Sequence, residues 1–267
     1  MTGCRSPQAW LGVLIAAAST LSGCGDPPSS ESAELSAPLV TESTPVAFTD
    51  CTEFAGIGFV PAQNARPLVP AHYELAGDSE NAIVVVRVGS CDEVSVSGKK
   101  PRPGIVSQVG ITITPVDETA SINNYTLWFG TNVGPLHAKL RALGVKSELD
   151  RNLAYAFTPD AVGGGSLAIA ASPPKGPAYS VSGTVLVPSA APVPFVATWW
   201  ADTRAGAVSM RTEFPEIRFG SATMTLTTDP TSSLAALVGD STLTFAILDS
   251  YNAFDFAALT IDVNPAY

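Results

Sequence analysis

From Phe48 to the C-terminus the dominant hydrophobic period is two. Val109, Ile111 and Ile113 alternate with Gly110, Thr112 and Thr114. Val181, Gly183, Val185 and Val187 alternate with Ser182, Thr184 and Leu186, and Ala222, Met224 and Leu226 alternate with three threonines. Successive side chains of a strand point to opposite faces, so these runs predict half-buried strands. Ala82–Val88 is a near-continuous β-branched run, the pattern of a strand covered on both faces. Strand candidates recur as far as Ala257–Val263. Many strands and few helices imply a mainly β fold, a closed or sandwiched barrel with short helical caps. No internal repeat or second linker divides residues 48–267, which read as a single domain.

Three helices interrupt the pattern. Leu136, Leu140 and Leu143 share one helical face after Pro135, with Thr131 or Asn132 as the cap and Gly144 as the terminator. A second helix is expected over Ser232–Val238, ended by Gly239. A short one is expected from Ala62 to Ala65, before Pro67.

The N-terminus reads as an address. Arg5 precedes an apolar run, Trp10–Leu21, too short for the roughly 20 helical residues that span a bilayer. This is the secretory signal pattern. Its ending, Leu21-Ser22-Gly23-Cys24, resembles the lipobox of bacterial lipoproteins. That resemblance implies cleavage after residue 23, acylation (palmitate among the chains) of Cys24, and a membrane-anchored protein of the bacterial cell envelope. Residues 24–47 are polar and proline-rich, as in Gly25-Asp-Pro-Pro-Ser-Ser30, and read as a flexible tether.

With Cys4 removed and Cys24 lipidated, Cys51 and Cys91 remain. Two cysteines in an exported domain are expected to form a disulfide, which would stabilise by roughly 4 kcal/mol through loop closure. The alternative is a thiol pair that carries chemistry. They lack CxxC spacing and have no histidine nearby.

Composition excludes several functions. Lys and Arg number 14 against 24 acids, for a net charge of −10, and nucleic-acid binding needs clustered cations. With only His72 and His137, no multi-histidine metal site can be assembled. There is no G-x-S-x-G elbow, and Gly163-Gly-Gly-Ser166 lacks the spacing of a phosphate-binding loop. No cofactor is called for. Of the carboxylate pairs, Asp92-Glu93 and Asp117-Glu118 flank turns and are expected to be solvated. Glu213 and Glu216 sit beside Phe214, Pro215 and Arg218 near strands.

Several segments, in order, resemble the acetoacetate decarboxylase family. They are Ala65-Arg-Pro-Leu-Val-Pro70, then Asn124-Tyr-Thr-Leu-Trp-Phe-Gly-Thr-Asn132 with the helix after it. Trp199–Gly206, Glu216–Gly220, Ala222–Leu226, Ser232–Leu237 and Leu259–Val263 follow. The resemblance covers about residues 48–264 and implies that family's β-barrel, a small keto-acid ligand and a homo-oligomeric tendency. It makes Tyr125, Trp128, Glu216 and Arg218 pocket candidates. In the family a lysine forms a Schiff base with the substrate, its amine kept neutral by an apolar pocket and a neighbouring cation. Lys146, just after the helix, stands at the matching place. Its successor is Ser147 rather than a second lysine, and Glu148 would favour the charged amine. Lys99-Lys100 is a tandem pair, but it lies in Ser97-Gly-Lys-Lys-Pro-Arg-Pro-Gly104, a turn that reads as a solvated hairpin tip.

The expectation is therefore an exported, lipid-anchored barrel that binds a small organic ligand, such as a keto acid, in a central pocket. A Schiff-base decarboxylase or aldolase acting through Lys146 is the alternative. A structural envelope lipoprotein with a partner-docking face is a third reading.

Overall fold

A computed structural model describes residues 43–264. Seven strands close into a barrel in the order β3-β2-β1-β13-β10-β9-β4, with β4 returning to β3. They are β1 (Thr44–Pro61), β2 (Asn81–Val96), β3 (Arg102–Thr112), β4 (Ile122–Thr131), β9 (Val193–Thr203), β10 (Gly206–Phe219) and β13 (Leu248–Asn264). Every contact in the ring is antiparallel except β4–β9, which is parallel. β5 (Ser147–Leu149) adds to β4 beyond the end of that parallel pairing. A second, antiparallel sheet runs β12 (Thr242–Thr244), β11 (Ala222–Thr228), β8 (Tyr179–Leu186), β7 (Gly164–Ala171) and β6 (Ala154–Pro159). The expected mainly β, closed-barrel class is what the chain adopts. β1 opens at Thr44, ahead of the anticipated boundary at Phe48, and Cys24 lies outside the described residues.

Alternation along β2 divides the core in two. Val84, Val86 and Val88 join Leu167, Ile169, Val181 and Leu226 of the second sheet, so that sheet packs on the barrel's outer wall. Val85, Val94 and Val96 face the opposite way, with Phe129, Trp199, Phe214 and Phe254, and fill the barrel interior. The β-branched run of β2 is thus covered on both faces, as predicted. β3 is covered on both faces too, where its alternation suggested a half-buried strand. Gly110 permits this: a Cβ there would lie 2.3 Å from the Tyr125 carbonyl oxygen and 2.7 Å from Trp199 Cζ3. The indole of Trp199 occupies the space a side chain would need.

The helices plug and cover the barrel. α2 (Gly134–Ala142) lays Leu136 and Leu140 into the interior cluster. Its end is a Schellman motif: Gly144 N–H donates to Arg141 O and Val145 N–H to Leu140 O, with Gly144 at φ 86°. The expected caps do other work. Thr131 Oγ1 accepts from Val133 N at 3.0 Å, and Asn132 Oδ1 accepts from Ile105 N at 2.8 Å. The helix therefore starts after Val133 without a side-chain cap. α3 (Ser233–Val238) matches its signals, since Ser232 Oγ accepts from Ala235 N at 3.0 Å and Gly239 is left-handed at φ 82°. α1 (Ala62–Ala65) precedes a turn of 3-10 helix, Arg66–Leu68.

Cys51 and Cys91 face each other in the β1–β2 register and are disulfide-bonded. Lys99 and Lys100 are exposed just past the β2–β3 turn, where Ser97 and Gly98 take left-handed φ of 51° and 70°.

Candidate functional site

Two concavities sit against the barrel. The first opens into the barrel interior, where β4 begins. It is small, about 50 Å³. Glu53, Arg87, Asn124 and Trp199 line it, and Ile57, Ile122, Phe195, Phe219 and Leu248 form its apolar mouth. α2 follows the far end of β4, so plug and pocket occupy opposite ends of the barrel.

At its wall a charge pair is held out of water. Arg87 Nε donates to Glu53 Oε2 at 2.5 Å, and the two side chains are 11% and 5% exposed. Arg87 also donates to Gln108 Oε1 at 3.0 Å and lies 5.5 Å from the ring centre of Phe214. A buried pair of this kind tolerates desolvation because its donors and acceptors are matched. Asn124 and Trp199 are register partners across the parallel β4–β9 seam, and each is only 1% exposed. Asn124 Oδ1 accepts from Thr112 Oγ1 at 3.0 Å. Asn124 Nδ2 and Trp199 Nε1 have no acceptor among the described residues. Buried N–H groups without partners are rare and costly. Here the two belong to register partners in adjacent strands, and both residues line one pocket.

The second cavity, about 480 Å³, lies outside the barrel. β4 contributes Tyr125, Thr126 and Trp128, the α2–β5 connection Lys146, and the β7–β8 loop Lys175. Asp150 pins that loop, its carboxylate accepting from Ser172 N at 2.6 Å and Asn152 N at 3.0 Å. Tyr179 is buried at the floor, where its hydroxyl shares a 2.5 Å hydrogen bond with Ser107. Burial pushes the Tyr179 phenol up to about 12, against the opposing pull of Ser107. Burial, with the charge of Asp202, also raises Tyr125. Asp202 in turn accepts from Tyr73 OH at 3.1 Å and faces His72 Nε2 at 3.4 Å. His72 packs against Tyr73, with ring centres 4.3 Å apart and the planes tilted by 41°.

The anticipated site residues separate accordingly. Tyr125, Trp128 and Lys146 come together in the outer cavity rather than in the barrel. Lys146 is exposed, and none of the five lysines is buried. Glu216 and Arg218 line neither cavity. The β9–β10 register shifts between Phe214 and Ile217, and this bulge at Pro215-Glu216 turns Glu216 outward. Arg218 lies 3.5 Å from Asp255 on the outer surface. Asp117 is also not the solvated turn residue expected. Burial raises it, but hydrogen bonds from Thr119 and Thr198 and the charge of Arg211 outweigh that and hold it low. His137 meets the buried Ser147, Oγ to Nδ1 at 3.1 Å, and packs rather than lining either cavity.

Glu53, Gln108, Asn124 and Trp199 were not singled out as site residues. One signal was available: Arg87 interrupts the apolar run Ala82–Val88, and a cation in a doubly covered strand must have a buried partner.

No protein-family model matches the sequence, and no curated protein matches it. Solved structures do. Acetoacetate decarboxylase from Legionella pneumophila subsp. pneumophila str. Philadelphia 1 superimposes with TM-score 0.54 at 11% identity, over 82% of this chain and 87% of that one. This chain has an acetoacetate-decarboxylase-like fold. The enduracididine biosynthesis enzyme MppR, solved with the condensation product of pyruvate and imidazole 4-carboxaldehyde, gives 0.51 at 15% identity, covering 86% and 90%. An acetoacetate decarboxylase-like enzyme from Sphingomonas wittichii RW1 gives 0.50 at 10%, covering 83% and 91%. At these identities the likeness is one of fold.

Proposed function

We propose that the domain binds a small organic acid or keto acid at the barrel pocket, with the ligand's oxygen accepting from Asn124 Nδ2 and Trp199 Nε1. The observation that carries this reading is the pair of buried N–H donors left without an acceptor on one wall. The pocket has room for a polar head group, and the apolar mouth of Phe195, Phe219 and Leu248 suits a short carbon body. The protein works from the bacterial cell envelope, anchored through an acylated Cys24. The Cys51–Cys91 disulfide supports that assignment, since such bonds persist in oxidising compartments. The test is calorimetric titration of a panel of small keto and hydroxy acids. Trp199→Phe should abolish binding while leaving the fold intact. Binding that is absent across the panel, or unchanged in Trp199→Phe, would overturn the reading.

A second reading, a Schiff-base lyase, is favoured by the fold shared with acetoacetate decarboxylase and by Lys146 on the wall of the larger cavity. It requires an amine enclosed in an apolar pocket, and Lys146 is exposed. Borohydride trapping with the same acids decides between the two. A reduced adduct on Lys146, absent in Lys146→Ala, would establish the lyase, and no adduct in a protein that binds the acid would leave binding alone.

A further inference from the structure

We infer that the ligand of the barrel pocket is an amphiphile, a medium-chain fatty or keto acid whose acyl tail lies along the barrel's apolar rim. The inference rests on the acid-binding reading of that pocket and names its ligand class. Strand periodicity carries it. Side chains two residues apart share a face, so each strand's inner face can be followed outward from the inner end of the pocket. On β1 that face runs Glu53, Ala55, Ile57 and Phe59, and on β9 Trp199, Ala197, Phe195 and Val193. On β2 it runs Arg87, Val85 and Ile83. Outward of Glu53, Arg87 and Trp199, every one of these positions is apolar. Six residues of strand, at about 3.3 Å each, place Phe59 and Val193 roughly 20 Å beyond Glu53 and Trp199.

The apolar wall is continuous from pocket to rim. Ala55 and Ala197 put small side chains at mid-height, where larger ones would fill the bore. Farther out, the register pairs Phe59 with Ile83, Ile57 with Leu248 and Val193 with Ile217, so neighbouring strands present apolar partners around the mouth. Phe195 and Phe219 meet there edge to face, ring centres 5.6 Å apart. Exposure rises along the same path: Ala197 is 5% exposed, and Leu248, Val193 and Phe59 are 38%, 44% and 49% exposed. Single exposed hydrophobics are ordinary, but a contiguous apolar rim marks a binding surface. Its occupant is set by continuity with the pocket. The enclosed space, about 50 Å³, holds a head group and its first carbons, and a longer chain on the same molecule passes directly onto the rim. On these three inner faces nothing beyond Glu53 and Arg87 is charged, so the wall offers an alkyl chain its match and a polar tail none.

The test is calorimetry with 2-oxobutanoate, 2-oxohexanoate and 2-oxooctanoate on the full-length chain in nonionic detergent, against a detergent blank. Affinity should rise about twofold per added methylene, short of the roughly fourfold of full burial, because the rim leaves one side of the chain in water. Phe59→Ser and Val193→Ser, both at exposed positions, should each weaken 2-oxooctanoate about threefold and leave 2-oxobutanoate unchanged. Trp199→Phe should weaken every member alike, since it alters the head-group contact only. Equal affinity for the three acids would overturn this inference and leave the acid-binding reading standing. No binding by any of them would overturn both. A chain-length gain that survives both serine variants would place the tail elsewhere and overturn the inference. So would sedimentation that shows a dimer dissociated by Phe59→Ser, since a second copy would then cover the rim.

Discussion

Replacing Glu53 by leucine should be among the most damaging single changes in the domain. The substitution strands the Arg87 guanidinium, which is 11% exposed and keeps only Gln108 and the face of Phe214. Removing one partner of a buried pair costs about 3–5 kcal/mol, because the other charge stays desolvated and unanswered. The Gln108 bond places the cost toward the lower end of that range. For a domain of this size each kcal/mol moves the melting temperature by roughly 2–4 °C, so a fall of about 6–20 °C is expected. The double variant Glu53→Leu/Arg87→Met removes both charges and should recover most of the loss, since apolar replacement of a whole buried pair is often near neutral. Differential scanning calorimetry on the two single variants and the double one reads this directly. A loss under about 1 kcal/mol in Glu53→Leu, or strict additivity in the double variant, would refute the claim that this pair is buried and coupled.

Other consequences are equally accessible. Cys51→Ala/Cys91→Ala should lose roughly 4 kcal/mol in denaturant unfolding, and reductant should produce the same shift in the wild type and none in the variant. Asp249 is raised by burial, opposed by its bond from Met224 N at 2.7 Å. A raised acid favours the protonated folded state, so its contribution is fully present below the unfolded value of 3.8 and is lost as pH rises through the folded value. Asp249→Asn, whose carbonyl can still accept from Met224, should therefore melt higher than wild type at pH 7 and equally near pH 3. Ser232→Ala removes the cap of α3 and should cost about 1 kcal/mol, read by thermal melting.

Much of the architecture was legible because it rests on local rules. Threonine alternation in β11, the β-branched run of β2, the Ser232 and Gly239 ends of α3 and the pairing of Cys51 with Cys91 all follow from side-chain direction, capping and redox chemistry. The site was less legible because it is assembled by closure. Asn124 and Trp199 meet only through a parallel seam between β4 and β9, and nothing local to either residue announces that pairing. Glu53 reads as an ordinary acid in a strand until Arg87 is placed beside it. Glu216 and Arg218 were pocket candidates through the family resemblance alone; their residues read equally as an ion pair or an exposed strand face, and that is where the bulge leaves them. Lys146 follows α2 as expected, but the α2–β5 connection presents it to the outer cavity, while its neighbour Val145 packs with the interior cluster.

The most direct test of the barrel-pocket account is the indole N–H resonance of Trp199 in nitrogen-15 NMR, followed during titration with a small keto acid that binds. Trp200 supplies the internal reference, since its Nε1 already donates to Asn123 Oδ1 at 3.0 Å. The account predicts a downfield, saturable shift at Trp199 as its N–H gains an acceptor, with Trp200 unmoved. A binding acid that leaves Trp199 unchanged would contradict it.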